Sequence, residues 1–206
     1  MTKSLAVVGC SDHGKVVADA AIERGWRKIA FYDDAWPGLA QVGRWTVEGG
    51  TVELKEILNR FDSVIVGIEE NRPRLAKLAE LEAQGAALCI VVHPGAMVSH
   101  FADVGLGTVV FAAAVVNVDA RLGRGVIVHT GATVGRDCVL EDGVHIGPGA
   151  HLAGGVKVGA GSLVGIGATV RGGVNIGQDA LVAAGAVVIR DVPDGATVMG
   201  VPARVS

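Results

Sequence analysis

The feature that most constrains this 206-residue chain is a six-residue repeat that fills its carboxyl-terminal half. From Val98 to Val188, every sixth residue is valine, leucine or isoleucine, which gives sixteen consecutive matches without a slip. A second series begins four residues later, at Ala102, and contains only small residues and valine. A β-sandwich predicts strands about 8–12 residues apart with alternating polar faces, so it does not account for a strict period of six.

A period of six leaves room for one short strand and one turn, with the aliphatic side chain inside and the small residue at the corner. Three repeats close a triangular coil, and sixteen repeats make a little over five coils. With neighbouring strands about 4.8 Å apart, the column is roughly 25 Å tall. The chain has 31 glycines and only 4% aromatic residues, which suits many tight turns around an aliphatic core. The repeat therefore predicts a left-handed parallel β-helix and tail over residues 93–206.

Residues 1–92 show a different pattern, in which short apolar runs alternate with amphipathic segments. Strands alternating with helices predict an α/β domain with a small parallel sheet, a Rossmann-like half. The predicted strands cover 4–9, 28–32, 63–67 and 87–92, and the predicted helices cover 14–24 and 73–84.

A glycine-bracketed loop, Gly9 to Gly14, joins the first predicted strand to the first helix. Such a loop is either a plain tight turn or a site where backbone N–H groups and the helix amino terminus bind phosphate. Asp33 and Asp34 end the second strand, where α/β folds contact a ribose or a base. Ser11 replaces the middle glycine of the dinucleotide pattern, and four strands are too few for two nucleotide-binding halves. The pattern favours one nucleotide, such as the UDP of a nucleotide-sugar.

Composition excludes several classes of protein. A net charge of −3 gives no basic surface for nucleic acid. No apolar run reaches the ~18 residues of a membrane span, and the amino terminus lacks the layout of a signal peptide. Three scattered cysteines indicate neither a disulfide framework nor a metal site. We therefore expect a cytoplasmic protein that requires no metal.

Several landmarks of the sequence occur together. They are Gly9-x-Ser-x-His-Gly14, Asp33-Asp34, His93-Pro94, the stretch 129–140, Val144–Gly149 and the tail Gly200-Val-Pro-Ala203. Together they resemble the bacterial sugar O-/N-acyltransferase family of the hexapeptide-repeat acyltransferase superfamily, over essentially the whole chain. That family includes sialic-acid O-acetyltransferases and N-acetyltransferases of nucleotide-linked 4-amino sugars.

The resemblance implies a homotrimer whose active sites lie between subunits, with acetyl-CoA as co-substrate along the β-helix. It implies N-acetylation of a nucleotide-linked 4-amino-4,6-dideoxy sugar in bacterial glycan biosynthesis. Two alternatives stay open, namely O-acetylation of a free sugar such as sialic acid, and a catalytically lapsed homologue that binds sugar or CoA.

The resemblance also implies the site residues. His145 would contact the thioester of acetyl-CoA, Gly154 would offer an N–H to the oxyanion, and Ile166 and Ala184 would line the pantetheine channel. The nucleotide-sugar would be surrounded by Ser11, Asp12, His13, Asp33, Asp34 and Gly67.

One stretch departs from the family pattern Asn-Thr-(x)5-His-(Asp/Glu)-Cys, whose histidine is the expected general base. Here it begins with His129 and ends with Arg136, Asp137 and Cys138, so arginine stands at the base position. Arginine stays protonated at any working pH and cannot act as a base.

Three interpretations of this change are open. In the first, the base has moved to His129 or His145, residues of a type whose ordinary pKa is ~6.5, and Arg136 binds an anionic group of CoA or the sugar. In the second, orientation alone suffices for an amine, and in the third, the protein binds ligands without transferring an acyl group. Asp137 keeps the carboxylate that would orient a base. A zinc site on histidines is not favoured, because their spacing does not match that of zinc-dependent relatives.

Overall fold

The computed structural model describes residues 3–206, and its contacts divide the chain into two compact units, Met1–His93 and Pro94–Ser206. The sequence patterns place this boundary one residue earlier, between positions 92 and 93.

The first unit is built on a mostly parallel sheet, which within residues 3–93 has five strands in the order β3-β4-β2-β1-β5. Strand β1 pairs in parallel with both β2 and β5, and β3 and β4 form an antiparallel hairpin. In chain order the elements are β1 (Ser4–Val8), α1 (Asp12–Glu23), β2 (Lys28–Tyr32), β3 (Gln41–Val42), β4 (Trp45–Gly49), α2 (Thr51–Glu56), a 3-10 turn (Leu58–Arg60), β5 (Ser63–Val66), α3 (Asn71–Ala83) and β6 (Val91–Val92).

The sequence pattern missed the β3–β4 hairpin and α2 altogether. Strand β3 has only two residues and β4 has five, and the two residues Gly43 and Arg44 connect them. The prediction of a strand over 87–92 was wrong in extent. Only Val91–Val92 forms a strand, and Leu88 adds an isolated bridge to Val64 of β5.

Both faces of the sheet are covered, because the whole of β1 after Ser4 is buried. On one face, Ala6 and Val8 pack in a cluster with Leu78 and Leu81 of α3. Helix α1 contacts β1 and buries residues such as Val17 and Ala21. This burial holds the carboxyl ends of β1, β2 and β5 in a fixed arrangement.

The second unit is the predicted parallel β-helix. Between residues 97 and 188 it has sixteen two-residue strands, each formed by one repeat aliphatic residue and the residue before it. These strands are β7 (Met97–Val98), β8 (Asp103–Val104), β9 (Val109–Val110), β10 (Val115–Val116), β11 (Arg121–Leu122), β12 (Ile127–Val128), β13 (Thr133–Val134), β14 (Val139–Leu140), β15 (His145–Ile146), β16 (His151–Leu152), β17 (Lys157–Val158), β18 (Leu163–Val164), β19 (Thr169–Val170), β20 (Asn175–Ile176), β21 (Leu181–Val182) and β22 (Val187–Val188).

Every third strand belongs to the same face. The first face contains β7, β10, β13, β16, β19 and β22, the second contains β8, β11, β14, β17 and β20, and the third includes β9, β12, β15, β18 and β21. The repeat aliphatics are buried from Val110 to Val188, whereas Val98 and Val104 in the first coil are only partly buried. The chain ends with β23 (Thr197–Met199), which extends the third face, and β24 (Arg204–Val205), which pairs with it antiparallel.

The second repeat series fills the corners of the prism. Where its residue is polar, the side chain donates to a carbonyl of the next coil. Thr108 Oγ1 donates to Gly123 at 3.0 Å, Cys138 Sγ to Ala153 at 3.2 Å, and Ser162 Oγ to Gly177 at 2.6 Å. These bonds join consecutive coils through the interior.

None of the helices within residues 3–206 combines the length and apolar character that crossing a bilayer requires.

Candidate active site

The residues expected to hold a nucleotide-sugar meet at one edge of the sheet in the first unit. Ser11, Asp12 and His13 follow β1, Asp33 and Asp34 follow β2, and Gly67 follows β5. Because β2 and β5 lie on opposite sides of β1, the strand order reverses here. Ligands of open α/β sheets bind in the crevice outside the carboxyl ends of strands at such a reversal.

Close backbone packing fixes the glycine loop against the end of β5. A Cβ on Gly14 would lie 2.3 Å from the Gly9 oxygen, and one on Gly67 would lie 2.8 Å from Gly14 Cα. Ser11 Oγ accepts from Gly14 N at 3.2 Å, which caps α1, and donates to Gly67 O at 3.1 Å. The Ser11 side chain thus fixes the conformation of the loop. Gly14 and Gly67 are both required, because a side chain at either position would prevent the loop from packing against the end of β5.

The two aspartates bind the protein backbone around the crevice. Asp33 accepts from the N–H groups of Cys10 at 2.7 Å and Ala35 at 2.9 Å. Burial and the neighbouring Asp33 raise the pKa of the Cys10 thiol to about 12, so this thiol stays neutral.

Asp34 lies in an ionic network rather than pointing alone into solvent. It accepts from the Thr51 N–H at 2.8 Å, at the start of α2, and from Lys77 Nζ of α3 at 3.0 Å. Burial alone would raise the pKa of Asp34, but the hydrogen bonds from Thr51 and Lys77 outweigh it and lower the pKa to about 2. Asp34 therefore joins the end of β2 to two helices.

Asp12 and His13 differ sharply in exposure. The Asp12 carboxylate is 96% exposed and pairs with Lys15 at 2.5 Å, whereas His13 is buried. A cleft of about 920 Å³ runs along the outer side of α1 towards Arg44 and Trp45 of the hairpin. Of the expected nucleotide residues it includes only Asp12, so it is a surface distinct from the sheet-edge crevice.

Sequence reasoning missed Arg74, which supports the loop after β5. Its side chain is 1% exposed and donates to the carbonyl oxygens of Ile68 and Glu69 and to Asn71 Oδ1. Burial lowers the pKa of the Arg74 guanidinium to about 10, although Glu69 and Glu70 oppose the shift. The Asn71-x-x-Arg74 spacing at the start of α3 is the signal that could have identified it.

In the second unit, the rings of His129 and His145 come together near the turn between the third face and the first. We name this turn the histidine corner; it consists of residues 129–132 and the residues at the same position in the other coils. The two rings stack with centroids 6.1 Å apart and an angle of 18°. Phe111, one coil before His129, places its ring 4.9 Å from the His129 ring. Sequence analysis did not identify Phe111, although its spacing of one full coil from His129 was visible.

Hydrogen bonding sets the tautomer of the neutral His129 ring, that is, which of its two nitrogens carries the proton. Its Nδ1 accepts from the Thr130 N–H at 2.8 Å, so the proton of the neutral ring lies on Nε2. Ile166 and Ala184 occupy the same corner in later coils and stack directly, since Gly185 N donates to Ile166 O at 2.8 Å. Ile166 is 57% exposed, so an apolar side chain lies on the surface of this corner.

Arg136 and Gly154 lie at the next turn of the coil, between the first and second faces. We name this turn the arginine corner; it consists of residues 135–138 and the residues at the same position in the other coils. They occupy the same turn position in consecutive coils, and Gly155 N donates to Arg136 O at 2.8 Å. Arg136 Nη1 pairs with Asp137 Oδ2 at 2.5 Å. Asp137 therefore binds the arginine, whereas the family pattern assigns this carboxylate to orienting a histidine.

The structure thus divides the expected catalytic and CoA-binding residues between two corners. His129, Ile166 and Ala184 lie at the histidine corner with His145 on the adjoining third face, and Arg136, Asp137 and Gly154 lie at the arginine corner. Strand β13 separates His129 from Arg136 along the chain. Among residues 3–206, no group of three or more histidine, cysteine or acidic side chains is arranged to hold a metal ion.

Comparison with known proteins gives two family matches. A model described as the PglD N-terminal domain matches residues 4–81, and one described as bacterial transferase hexapeptide (six repeats) matches residues 137–165. No curated protein matches the chain.

Solved structures match over the full length. The acetyltransferase domain of PglB from Neisseria gonorrhoeae FA1090, in complex with acetyl coenzyme A, is 40% identical with a TM-score of 0.95, and 100% of each chain is covered. PerB from Caulobacter crescentus, in complex with CoA and GDP-perosamine, is 35% identical with a TM-score of 0.93, covering 100% of this chain and 98% of that one. WeeI from Acinetobacter baumannii AYE, 24% identical with a TM-score of 0.83 and full coverage of both chains, supports the fold alone.

Proposed function

Because the chain belongs to the hexapeptide-repeat sugar acyltransferase family, we propose that it is an acetyl-CoA-dependent N-acetyltransferase acting on a nucleotide-linked 4-amino-4,6-dideoxy sugar. The observation that carries this proposal is full-length similarity to one acetyltransferase domain bound to acetyl-CoA and to another enzyme bound to CoA and a nucleotide-sugar. We propose that the reaction takes place in the cytoplasm.

The first unit is suited to hold the nucleotide. The amino-terminal turn of α1 offers backbone N–H groups and a positive helix end to a diphosphate. Asp33 lies across the crevice, and its carboxylate can accept hydrogen bonds from ribose hydroxyls or base N–H groups. Asp34 also stabilises the first unit, because its oxygens accept hydrogen bonds from Thr51 and Lys77.

The division of the site between two corners supports a homo-oligomer. A reaction that uses both the histidine corner and the arginine corner needs them next to each other, which two adjacent chains can provide. A cyclic homotrimer places the histidine corner of one chain against the arginine corner of the next, three times over.

The chemistry requires a neutral sugar amine that attacks the thioester carbonyl, and a group that takes the proton released on nitrogen. His129 is poorly placed to take it, since its Nδ1 lone pair already accepts from Thr130 N–H. We therefore assign the base to His145, which is 6% exposed and is held by stacking on His129. His129 then presents its Nε2 proton as a donor.

The test measures release of CoA thiol from acetyl-CoA with GDP-, UDP- and dTDP-linked 4-amino-4,6-dideoxy sugars. Mass spectrometry checks for one added acetyl group. The controls are the nucleotide-sugar with a 4-hydroxyl in place of the amine, and the free amino sugar. Turnover should require both the nucleotide and the amine, and turnover of a free sugar hydroxyl would instead indicate an O-acetyltransferase.

Variants test the assigned base. His145→Ala should lower kcat by about 100-fold or more, as expected when a general base is lost. His151→Ala is the matched control, because this exposed histidine on the first face hydrogen-bonds Thr133 and should keep the wild-type rate. If no sugar of the panel releases thiol while CoA and nucleotide-sugar still bind, the protein is a binding homologue and the proposal fails.

A further inference from the structure

A second catalytic group follows from the way Arg136 lies over Gly154. A Cβ added to Gly154 would be 3.2 Å from Arg136 Cγ and 3.5 Å from Arg136 Cζ. The arginine side chain therefore runs along the corner from its own coil onto the next and occupies the space above a turn that has no side chain. The next residue in this column, Gly172, also has no side chain, so the surface beyond the guanidinium stays open.

The same position offers a backbone donor. Throughout the described part of the chain, residues 3–206, the Gly154 N–H donates no hydrogen bond, whereas Ala153 N and Gly155 N on either side donate to Val170 O and Arg136 O. Asp137 holds the guanidinium through Nη1, and a guanidinium has five N–H donors. The remaining donors of Arg136 thus lie over the same turn that contains the Gly154 N–H.

The family resemblance already implies that the Gly154 N–H donates to the oxyanion formed at the thioester carbonyl. We propose that Arg136 is a second donor to this oxyanion, and thus a catalytic residue which stabilises negative charge where the family pattern has a base. The proposal rests on the proposed function, because acyl transfer creates that oxyanion. Fixed positive charge aimed at a developing oxyanion lowers the barrier of acyl transfer. Arginine supplies it permanently, whereas a neutral histidine base does not.

The step balances without further reactants. The amine nitrogen forms a bond to the carbonyl carbon, and the C=O π electrons move to the oxygen, which Arg136 and Gly154 hold. When the tetrahedral intermediate collapses, the C–S bond breaks and CoA leaves as the thiolate. The proton lost from nitrogen reaches the thiolate sulfur through the base, which gives amide and CoA thiol. A nearby guanidinium also disfavours the protonated ammonium form of the acceptor, so more amine is ready to attack.

The experiment measures single-turnover rates and Michaelis constants for wild type, Arg136→Gln, Arg136→Lys and Arg121→Gln. Arg121 is an exposed arginine on the second face and is the control for lost charge. Arg136→Gln should lower the rate of the chemical step by about 100-fold, with each KM changed less than about threefold. Arg136→Lys should recover part of that loss, and Arg121→Gln should match wild type.

Other results overturn the assignment. A KM for acetyl-CoA or nucleotide-sugar that rises with an unchanged single-turnover rate would mean that Arg136 binds a phosphate of the substrate in the ground state. An Arg136→Gln rate within twofold of wild type would leave Arg136 with no role, while the proposed function would stand. A wild type that is silent with every sugar would remove the proposed function and this role together.

Discussion

Removing the hydroxyl of Ser162 measures how much an inter-coil hydrogen bond at a corner of the β-helix contributes to the free energy of unfolding. Ser162 is 0% exposed, its Oγ donates to Gly177 O at 2.6 Å, and it accepts from Ala180 N at 2.9 Å. Two buried hydrogen bonds are worth about 2 kcal/mol net, and stranded partners would add to that. In a corner that has no hydroxyl, Ala168 N donates to Gly165 O three residues earlier, at 3.1 Å.

When the Ser162 hydroxyl is removed, Ala180 N can likewise donate a hydrogen bond to Gly177 O, three residues earlier in its own turn. We therefore expect Ser162→Ala to lower the free energy of unfolding by about 1–2 kcal/mol, less than the loss for two stranded groups. Ser162→Cys should lose less, because Cys138 in the equivalent position donates to Ala153 O at 3.2 Å. Thr169→Ala, on the exposed side of β19, is the control and should change stability by less than about 0.5 kcal/mol.

The assay is denaturant unfolding at one fixed chain concentration, since oligomers gain stability by mass action. Far-UV circular dichroism follows the β-helix. Tryptophan fluorescence follows the first unit, because Trp26, Trp36 and Trp45 all lie there. A loss for Ser162→Ala below about 0.5 kcal/mol, or one equal to that of Thr169→Ala, would refute a stabilising role for the inter-coil hydroxyl.

Two further predictions concern the first unit, and tryptophan fluorescence can follow both. The folded-state pKa of Asp34 is lowered to about 2, so its contribution to stability is present above the ordinary carboxyl pKa and is lost as pH falls towards 2. Asp34→Asn should therefore weaken the fall in stability at low pH. Because the carboxylate is largely exposed, it should lower the free energy of unfolding at pH 7 by less than about 1 kcal/mol. An unchanged dependence of stability on acid pH would contradict this prediction. Arg74→Met should lower stability by about 1–3 kcal/mol, since it leaves the carbonyls of Ile68 and Glu69 without their donor. A Met variant as stable as wild type would show that these bonds are dispensable.

The sequence alone determined the β-helix, because a strict period of six with an aliphatic residue in every repeat fits a triangular coil and no ordinary sheet. It also placed the glycine-bracketed loop from Gly9 to Gly14 and the pair Asp33-Asp34 at strand ends, since chain order fixes where parallel strands terminate. The hairpin at Gln41–Val42 and Trp45–Gly49 escaped, because β3 has only two residues and shows no alternation that would mark it as the partner of the five-residue β4.

Only the tertiary structure decided which side chains stack or form hydrogen bonds with each other. His129 and His145 are sixteen positions apart in sequence, yet their rings stack, because coil winding brings one corner beside the adjoining face. Asp34 turned out to hold α2 and α3, and Asp137 turned out to hold Arg136, since a carboxylate binds whichever donors the packing places within reach. The position of Arg136 over Gly154 depends on the stacking of coils, a contact between neighbours in space that lie a full turn apart along the chain.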